Sequence, residues 1–308
     1  MAYTLDAKWA FFEGKIVPIE EANINIRSCI LQYGTGVFEG IRAYWNEEQK
    51  KKYIFRAKDH FIRFKDNSKL LLMDLKYSPE ELTKTTLELL KRENYLETTY
   101  IRPLAYYNSI DLREKLNSDQ YDVSIFTFPM GDIFNLDGIN VCISSWLRCS
   151  DNMIPPRGKI IGNYVNISLI AYDAKKSGYD DALIMTMDGH VSEGAGQNYV
   201  MVRKNKIVSP PVTDDILEGI TLDSVTTIVE NELGMGLERR SVDRTELYQA
   251  EEVFYCGTGA QITPILSIDH RRIADGKPGK YTKQIQKIYF DIVKGRNNKY
   301  IDWLTEVK

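Results

Sequence analysis

A lysine and a glutamate, each placed among small or apolar residues, are the side chains of this sequence best suited to carbonyl chemistry. Lys159 lies within Gly158–Gly162, and Glu193 lies within Ser192–Gly196. A lysine among apolar groups is held neutral by desolvation, and a neutral amine can form a Schiff base with an aldehyde. A glutamate among small residues can approach a ring nitrogen without steric hindrance. The pair suits pyridoxal phosphate, which needs both groups, although buried Lys and Glu also form structural ion pairs.

Three segments could bind the phosphate of such a cofactor. Gly219–Thr221 opens a predicted helix, where free amides and the helix dipole favour an anion. Thr221 would add its hydroxyl, although an ordinary threonine cap explains it as well. Gly257–Ala260 follows a predicted strand and offers close backbone approach and the hydroxyl of Thr258, unless it is a simple turn. Arg63 could form a two-pronged clamp or be a solvated surface arginine.

The composition is that of an ordinary globular protein and excludes several functional classes. The chain has 308 residues, of which 43% are hydrophobic and 27% charged, enough for one large or two medium domains. The net charge of −3 leaves no broad basic surface for nucleic acid. No apolar stretch approaches the roughly 20 residues of a transmembrane helix, and the start, Met1–Asp6, lacks a secretion signal. The expectation is a cytoplasmic protein without membrane contact.

Neither the cysteines nor the histidines form a metal-binding pattern. The cysteines are widely spaced, as free thiols in a reducing compartment are, at Cys29, Cys142, Cys149 and Cys256. The histidines are scattered and are interpreted as surface or hydrogen-bonding residues, at His60, His190 and His270. The glycine-rich segment Tyr33–Gly40 lacks the spacing and the βαβ setting of a dinucleotide fingerprint, so a nicotinamide site is rejected.

Hydrophobic periodicity and turn residues predict strands and helices that alternate irregularly. In the first half, a hairpin turns at Glu13-Gly14, and Ser78-Pro79 opens a capped helix that ends near Asn94. Pro103 indicates a sheet edge or a bulge. The other predicted helices are residues 57–72, 163–177, 221–233 and 281–293. The other predicted strands are residues 100–106, 121–128, 139–146, 181–187 and 252–255, with a further hairpin over 198–208.

The run 129–138, rich in Pro, Gly and Asp, is predicted to link two domains. The smaller N-terminal domain would comprise residues 1–128. The larger C-terminal domain, carrying Lys159, would comprise residues 139–308. Because strands and helices do not repeat as regular βαβ units, the pattern predicts an α+β fold.

Taken in order, these segments resemble the class IV, or fold type IV, aminotransferases, and in particular the bacterial branched-chain amino acid aminotransferases. The resemblance runs from about Trp9 to Trp303. Its motifs are Tyr33-Gly34-Thr35 with Phe38–Arg42, then Tyr100–Pro103, Lys159 with Gly162–Tyr164, Ser192–Gly196, Gly219–Thr221 and Gly257-Thr258. It implies the two-domain fold of D-amino acid aminotransferase, pyridoxal 5'-phosphate, and transamination between L-leucine, L-isoleucine or L-valine and 2-oxoglutarate. It also implies a homodimer or a trimer of dimers.

The resemblance further implies a role for each matching residue. Lys159 would form the Schiff base and shuttle the α-proton, Glu193 would pair with the pyridinium nitrogen, and Tyr164 would bind the phenolate oxygen. The phosphate would be held by Arg63, Ile220, Thr221 and Thr258. The substrate would meet Tyr33, Phe38, Tyr100, Arg102, Met130, Gly259 and Ala260. Within that set, Arg102 would favour the second carboxylate of glutamate, and backbone amides near Gly259 would bind the α-carboxylate.

The sequence departs from the family pattern in places that bear on the substrate. Met130 and Ile133 stand in the linker where relatives often have aromatic residues, and they would soften the pocket wall. Gly259 and Gln261 replace an alanine and a glutamate, and Gln197 stands where a glutamate is common. The alternatives are a D-amino acid or (R)-amine aminotransferase, an aminodeoxychorismate-lyase-like enzyme, or a non-catalytic protein of the same fold. An intact Lys159 and Glu193 argue against the last.

Overall fold

The computed structural model describes residues 6–110, 116 and 119–308 of the chain. They divide into two units. The first unit comprises the described residues of Met1–Gly131 with Gly158–Gly162 and Ile292–Lys308, and the second comprises Asp132–Arg157 and Asn163–Asp291.

This division falls inside the predicted linker but differs from the predicted domains in two places. Lys159 groups with the first unit, because the amide of Phe38 donates to its carbonyl at 3.0 Å. The C-terminal segment also groups with the first unit, because its last strand pairs with a strand at Lys51–Phe55. The predicted domain boundaries remain a prediction.

In its N-terminal part, the first unit contains three α-helices and seven strands among the described residues. The strands are β1 (Trp9–Phe12), β2 (Lys15–Pro18), β3 (Gly36–Phe38), β4 (Ile41–Asn46), β5 (Lys51–Phe55), β6 (Thr99–Tyr107) and β7 (Tyr121–Pro129). The helices are α1 (Cys29–Tyr33), α2 (Ala57–Leu70) and α3 (Pro79–Glu93).

The second unit alternates strands with the remaining helices. Its strands are β8 (Ile139–Leu147), β9 (Asp181–Met185), β10 (Val191–Gly194), β11 (Asn198–Arg203), β12 (Lys206–Ser209), β13 (Leu237–Arg239), β14 (Glu252–Gly257), β15 (Gln261–Ile268) and β16 (Arg271–Arg272). Its helices are α4 (Tyr164–Lys176), α5 (Ile220–Leu233), α6 (Arg244–Leu247) and α7 (Lys280–Val293), the last of which ends in the first unit. The final strand, β17 (Leu304–Val307), belongs to the first unit.

Each unit is built on one sheet. The first sheet is antiparallel, in the order β17-β5-β4-β6-β7-β1-β2, with β3 beside β6. The second is mixed, in the order β10-β9-β8-β15-β14-β11-β12-β13, with β16 beside β15. Two of its three parallel pairs are joined by a helix, because α4 connects β8 to β9 and α5 connects β12 to β13, while β8 also pairs in parallel with β15. The α+β prediction is confirmed.

Local sequence signals explain several element boundaries. The predicted hairpin turns at Glu13 and Gly14, which both have positive φ, as a tight primed turn requires. The predicted capping box is present, because Glu81 N donates to Ser78 Oγ and Ser78 N donates to the Glu81 carboxylate. The helix ends at Glu93, and Asn94 follows in the left-handed conformation.

Pro103 lies at neither an edge nor a bulge, contrary to the prediction. β6 is an interior strand that pairs with β7 through Pro103 without a register shift. On its other side, the neighbouring strand is interrupted at Glu39 and Gly40, between β3 and β4. The missing proline N–H therefore faces a gap in the ladder, and only its carbonyl is used, accepting from Glu39 N at 3.0 Å.

Helices of both units bury apolar side chains in a hydrophobic core. On α2, Phe61 and Phe64 are fully buried toward the first sheet, as the helical spacing predicts. On α5, Leu222, Val225 and Val229 form the predicted buried stripe. Within residues 6–110 and 119–308, no helix has the length and apolar character that a membrane crossing requires.

Candidate active site

In the first unit, the backbone of Lys159 lies beside β3. Ile160 forms a bridge with Val37, and the amide of Gly162 donates to the carbonyl of Gly34 at 3.2 Å. The Lys159 side chain is half-buried, and its Nζ lies 4.8 Å from the centre of the Phe38 ring. The structure therefore places the predicted lysine against one predicted wall residue.

Arg102, a predicted substrate-binding residue of this unit, lies against two aromatic rings. The guanidinium carbon of Arg102 lies 4.4 Å from the Phe38 ring centre and 5.2 Å from the Tyr100 ring centre. Tyr100 packs on Phe128, and Met130 belongs to the same buried cluster. Arg102 Nε is buried and makes no hydrogen bond within the described part of the chain. We call Phe38, Tyr100, Arg102 and Met130 the aromatic–arginine cluster.

Gly40 allows this cluster to close. A Cβ atom at position 40 would lie 2.0 Å from the Tyr100 hydroxyl and 2.9 Å from its Cζ. Only glycine admits the Tyr100 ring at this distance. Steric fit therefore explains why the Phe38–Arg42 motif has a glycine at position 40. Tyr33, the remaining predicted wall residue of this unit, is the last residue of α1 and is half-buried.

Arg63, the predicted phosphate clamp, is engaged with a buried acid. Its Nε lies 2.7 Å from Glu39 Oε1 and its Nη2 lies 2.8 Å from Glu39 Oε2, while His60 Nδ1 lies 2.8 Å from Oε2. The Glu39 and His60 side chains are almost fully buried, and Arg63 is 14% exposed. Arg63 is therefore not a solvated surface arginine. The sequence interpretation did not identify Glu39 and His60 as members of this group.

The charges in this group are strongly coupled. Burial alone would raise the pKa of the Glu39 carboxyl, but the Arg63 charge and the hydrogen bonds from His60 and Arg63 hold it well below its usual range. Burial, together with the positive charges of Arg63 and Lys159, lowers the pKa of the His60 imidazole although Glu39 acts to raise it. Because an ionised carboxylate can only accept, the proton of neutral His60 lies on Nδ1. Glu39 is thus an ion between an arginine and a neutral histidine.

In the second unit, Glu193 lies on β10 with its side chain buried. Arg148 Nη2 lies 2.7 Å from Glu193 Oε1, Asn198 Nδ2 lies 2.8 Å from Oε2, and the amide of Leu217 lies 3.1 Å from Oε2. These donors compensate the burial of the carboxylate charge. The sequence interpretation missed Arg148 and Asn198. Asn198 lies two residues after the glycine-rich motif Ser192–Gly196, whereas no local signal marks Arg148.

The N-terminus of α5 lies next to this acid. Gly219 is the cap, and Ile220 and Thr221 begin the helix with buried side chains. A Cβ at Gly219 would lie 1.9 Å from Asn198 Oδ1, so glycine is required where Asn198 reaches the helix. Amides in a first helical turn attract anions. The structure thus brings Glu193 and the predicted phosphate segment together within the second unit.

The hairpin between β14 and β15 carries the last predicted segment. Thr258, Gly259 and Ala260 form its loop, and the loop is closed by the Gly257–Gln261 pair. Thr258 is half-buried and Ala260 is buried.

Apart from Met130, the residues that depart from the family pattern contact one another or an acid. Gln261 Nε2 donates to Asp132 Oδ1 at 2.7 Å, and a Cβ at Gly259 would lie 2.8 Å from Ile133 Cδ1. The linker residues 132 and 133 therefore pack on the hairpin loop. Gln197, in contrast, donates to the buried Asp181 carboxylate. Tyr164 is the first residue of α4 and is half-buried.

Comparison with known proteins relates these residues to a family. The family described as class IV amino-transferase matches residues 36–268. A probable branched-chain-amino-acid aminotransferase of Aquifex aeolicus is 44% identical over 308 residues, covering 100% of this chain and 99% of the relative.

Two solved structures show the same fold. A branched-chain aminotransferase from Thermoproteus uzoniensis with norvaline has a TM-score of 0.94 at 38% identity, covering 98% of this chain and 100% of the other. A branched-chain amino acid aminotransferase from Thermobaculum terrenum in its PLP form has a TM-score of 0.94 at 37% identity, covering 99% and 100%. The chain therefore belongs to the class IV aminotransferase family.

Proposed function

We propose that this enzyme transfers an amino group between L-branched-chain amino acids and 2-oxoglutarate, using pyridoxal 5'-phosphate. The observation that carries the substrate choice is the aromatic–arginine cluster. Its rings offer an apolar surface to an aliphatic side chain, and Arg102 offers a charge-assisted hydrogen bond to the second carboxylate of glutamate. One surface of this kind suits both substrates of the exchange.

The residues of each unit fit the cofactor by their chemistry. The second unit has a buried acid at Glu193 and helix amides at Ile220 and Thr221, and the first unit has an amine at Lys159 and a guanidinium at Arg63. These groups match a ring nitrogen, a phosphate and an aldehyde. When bound, pyridoxal phosphate supplies the electron sink for charge at the substrate α-carbon.

The residues that act on the cofactor have distinct roles in this proposal. Lys159 would hold the aldehyde through Nζ and would carry the substrate α-proton at the same atom. The Glu193 carboxylate would accept from the protonated ring nitrogen, and Tyr164 would donate to the phenolate oxygen. Arg63, Ile220, Thr221 and Thr258 would hold the phosphate.

The substrate-binding roles are divided in the same way. The α-carboxylate accepts from amides of Gly259 and Ala260, and Arg102 binds the second carboxylate of glutamate. The aliphatic side chain is buried by Tyr33, Phe38, Tyr100 and Met130.

A substrate panel tests the proposal. Purified protein with pyridoxal phosphate is assayed with L-leucine, L-isoleucine, L-valine, D-alanine and an aryl amine, each with 2-oxoglutarate. We expect turnover of the three L-amino acids and formation of glutamate. Activity confined to D-alanine or to the amine would assign the chain to another class IV activity. Arg102→Leu is expected to raise the KM for 2-oxoglutarate more than the KM for L-leucine.

The proposal extends to assembly and location. No disulfide joins any of the four cysteines, all of which lie in the described part of the chain, and this suits a reducing compartment such as the cytoplasm. The family suggests a homodimer or a trimer of dimers. Light scattering coupled to size-exclusion chromatography distinguishes these from a 35.5 kDa monomer.

A further inference from the structure

We propose that Glu39 is a positioning residue, which fixes the guanidinium of Arg63 in the orientation that binds the cofactor phosphate. The inference rests on the proposed function, in which Arg63 holds that phosphate. Nothing in the sequence patterns assigned a role to Glu39, although it lies in the Phe38–Arg42 motif.

The geometry of the pair supports orientation as its role. Two contacts, from Nε and Nη2 of Arg63 to the two oxygens of Glu39, measure 2.7 and 2.8 Å. A bidentate contact of this kind fixes the plane of a guanidinium as well as its position. A guanidinium has five N–H donors in a rigid fork. Glu39 uses donors on the Nε edge, so the opposite end of the fork has a defined direction.

Glu39 is itself anchored to the sheet. Its amide donates to the carbonyl of Pro103 at 3.0 Å, and His60 holds its Oε2 from α2. Phe38, the preceding residue, contacts Lys159, while the Glu39 side chain contacts α2. Glu39 therefore ties a helix-borne arginine to the strand that borders the lysine.

Two effects of Glu39 on phosphate binding oppose each other, and this makes the inference testable. Its negative charge lowers the electrostatic attraction of Arg63 for an anion, so removing the charge alone would strengthen phosphate binding. Its hydrogen bonds hold a long, flexible side chain in one rotamer, so removing them weakens phosphate binding. We expect orientation to dominate, because the Glu39 side chain is fully buried and accepts both contacts at short distance.

The test compares a cofactor with and without its phosphate. The full-length protein, freed of cofactor, is titrated with pyridoxal phosphate and with pyridoxal, and binding is followed by fluorescence. In Glu39→Gln, we expect binding of pyridoxal phosphate to weaken roughly tenfold or more, and binding of pyridoxal to change by less than about twofold. Equal losses for both ligands, or unchanged or tighter binding of pyridoxal phosphate, would overturn the inference.

Matched variants separate orientation from stability. Glu252 is also a buried glutamate, but it caps α7 through the amides of Tyr281 and Thr282. Glu252→Gln should lower stability without a selective loss of pyridoxal phosphate, and a selective loss equal to that of Glu39→Gln would count against the inference. In an Arg63→Ala background, Glu39→Gln should cause no further selective loss, and an additive loss would also overturn it.

A second variant covers failure of Glu39→Gln to fold. Glu39→Asp keeps the charge but withdraws the carboxylate, and it should show a smaller loss with the same preference for pyridoxal over its phosphate. Wild-type affinities for both ligands in this variant would overturn the inference. The proposed function fails separately, if the wild-type protein binds no pyridoxal phosphate. If it binds and transaminates while the Glu39 variants match it, only the positioning role fails.

Discussion

Asn198 connects the buried acid of the second unit to the start of α5. Its Nδ2 lies 2.8 Å from Glu193 Oε2 and 3.0 Å from the carbonyl of Leu217, and its Oδ1 occupies the space beside Gly219. One side chain thus touches both the acid and the turn that opens the helix. We infer that these two features are held in register by Asn198.

Gly219→Ala should disrupt that register. The new methyl group would lie 1.9 Å from Asn198 Oδ1, so the amide must move and lose a hydrogen bond to Glu193 or Leu217. We expect a stability loss of roughly 1–3 kcal/mol and weaker binding of pyridoxal phosphate, measured by urea unfolding and cofactor titration. Gly236→Ala is the control, because a Cβ there meets nothing within 4 Å. Equal stability of the two variants would contradict the explanation.

Lys159→Ala should abolish transamination while leaving the fold intact. The variant would lose the amine that binds the aldehyde and carries the α-proton, whereas the backbone hydrogen bond from Phe38 to the carbonyl of residue 159 would remain. General base catalysis alone contributes about 10²–10⁴-fold, so activity should fall at least that far. Steady-state rates and circular dichroism measure the two outcomes. Normal turnover would refute the assignment of Lys159.

Glu193→Ala should slow proton abstraction much more than it weakens substrate binding. The proposed role of Glu193 is to keep the ring nitrogen protonated, which matters chiefly when charge develops at the α-carbon. With α-deuterated L-leucine, the isotope effect on kcat should increase while KM changes little. An unchanged rate would argue against contact between Glu193 and the ring nitrogen.

Asp181 provides a pH-dependent test of stability. Burial raises the pKa of its carboxyl to about 6. Because the folded state binds this proton more tightly, Asp181 favours folding below pH 6 relative to neutral pH, and that contribution is lost as pH rises through about 6.

Asp181→Asn removes this titration. Its free energy of unfolding relative to the wild type should therefore be highest near pH 7.5 and should decrease toward pH 4, over a range on the order of 1–3 kcal/mol. Urea unfolding across this pH range measures the difference. A difference that is constant with pH would show that Asp181 does not titrate as described.

Gly259 and Ile133 form a testable steric pair. Gly259→Ala places a methyl group 2.8 Å from Ile133 Cδ1, and Ile133 can move because it is 46% exposed. We expect a shift of roughly 2–10-fold in the KM for L-leucine, since a displaced methyl group is worth about 1 kcal/mol, with unchanged binding of pyridoxal phosphate. Ile133→Val removes the clashing carbon, so the double variant should return toward the wild-type KM. Failure of this rescue would mean that the two residues act independently.

Local signals explain which features could be predicted from the sequence. The capping box of Ser78 and Glu81 lies within four consecutive residues, and the Glu13-Gly14 turn needs only its own backbone. In contrast, Glu39 and Arg63 are 24 residues apart, and no periodic pattern marks their pairing.

The same reasoning applies to the placement of the candidate site residues. Arg148 directly follows β8, and Glu193 lies on β10. The two residues meet because β8 and β10 both pair with β9, and this order of strands in the sheet cannot be deduced from local sequence. The grouping of Lys159 with the first unit depends on backbone pairing with β3, which its neighbours in the sequence do not indicate. The prediction for Pro103 is wrong because this proline is accommodated by the interruption between β3 and β4, which lies far from Pro103 in the sequence.

The close approach of Tyr100 to Gly40 also constrains how this enzyme can evolve. A side chain at position 40 becomes tolerable only after Tyr100 has been replaced by a smaller residue, because both its hydroxyl and its Cζ lie within 3 Å of the new atom. The two substitutions are therefore epistatic, and only one order of mutation avoids an intermediate with a steric clash between positions 40 and 100. Libraries that broaden substrate range should vary position 100 first.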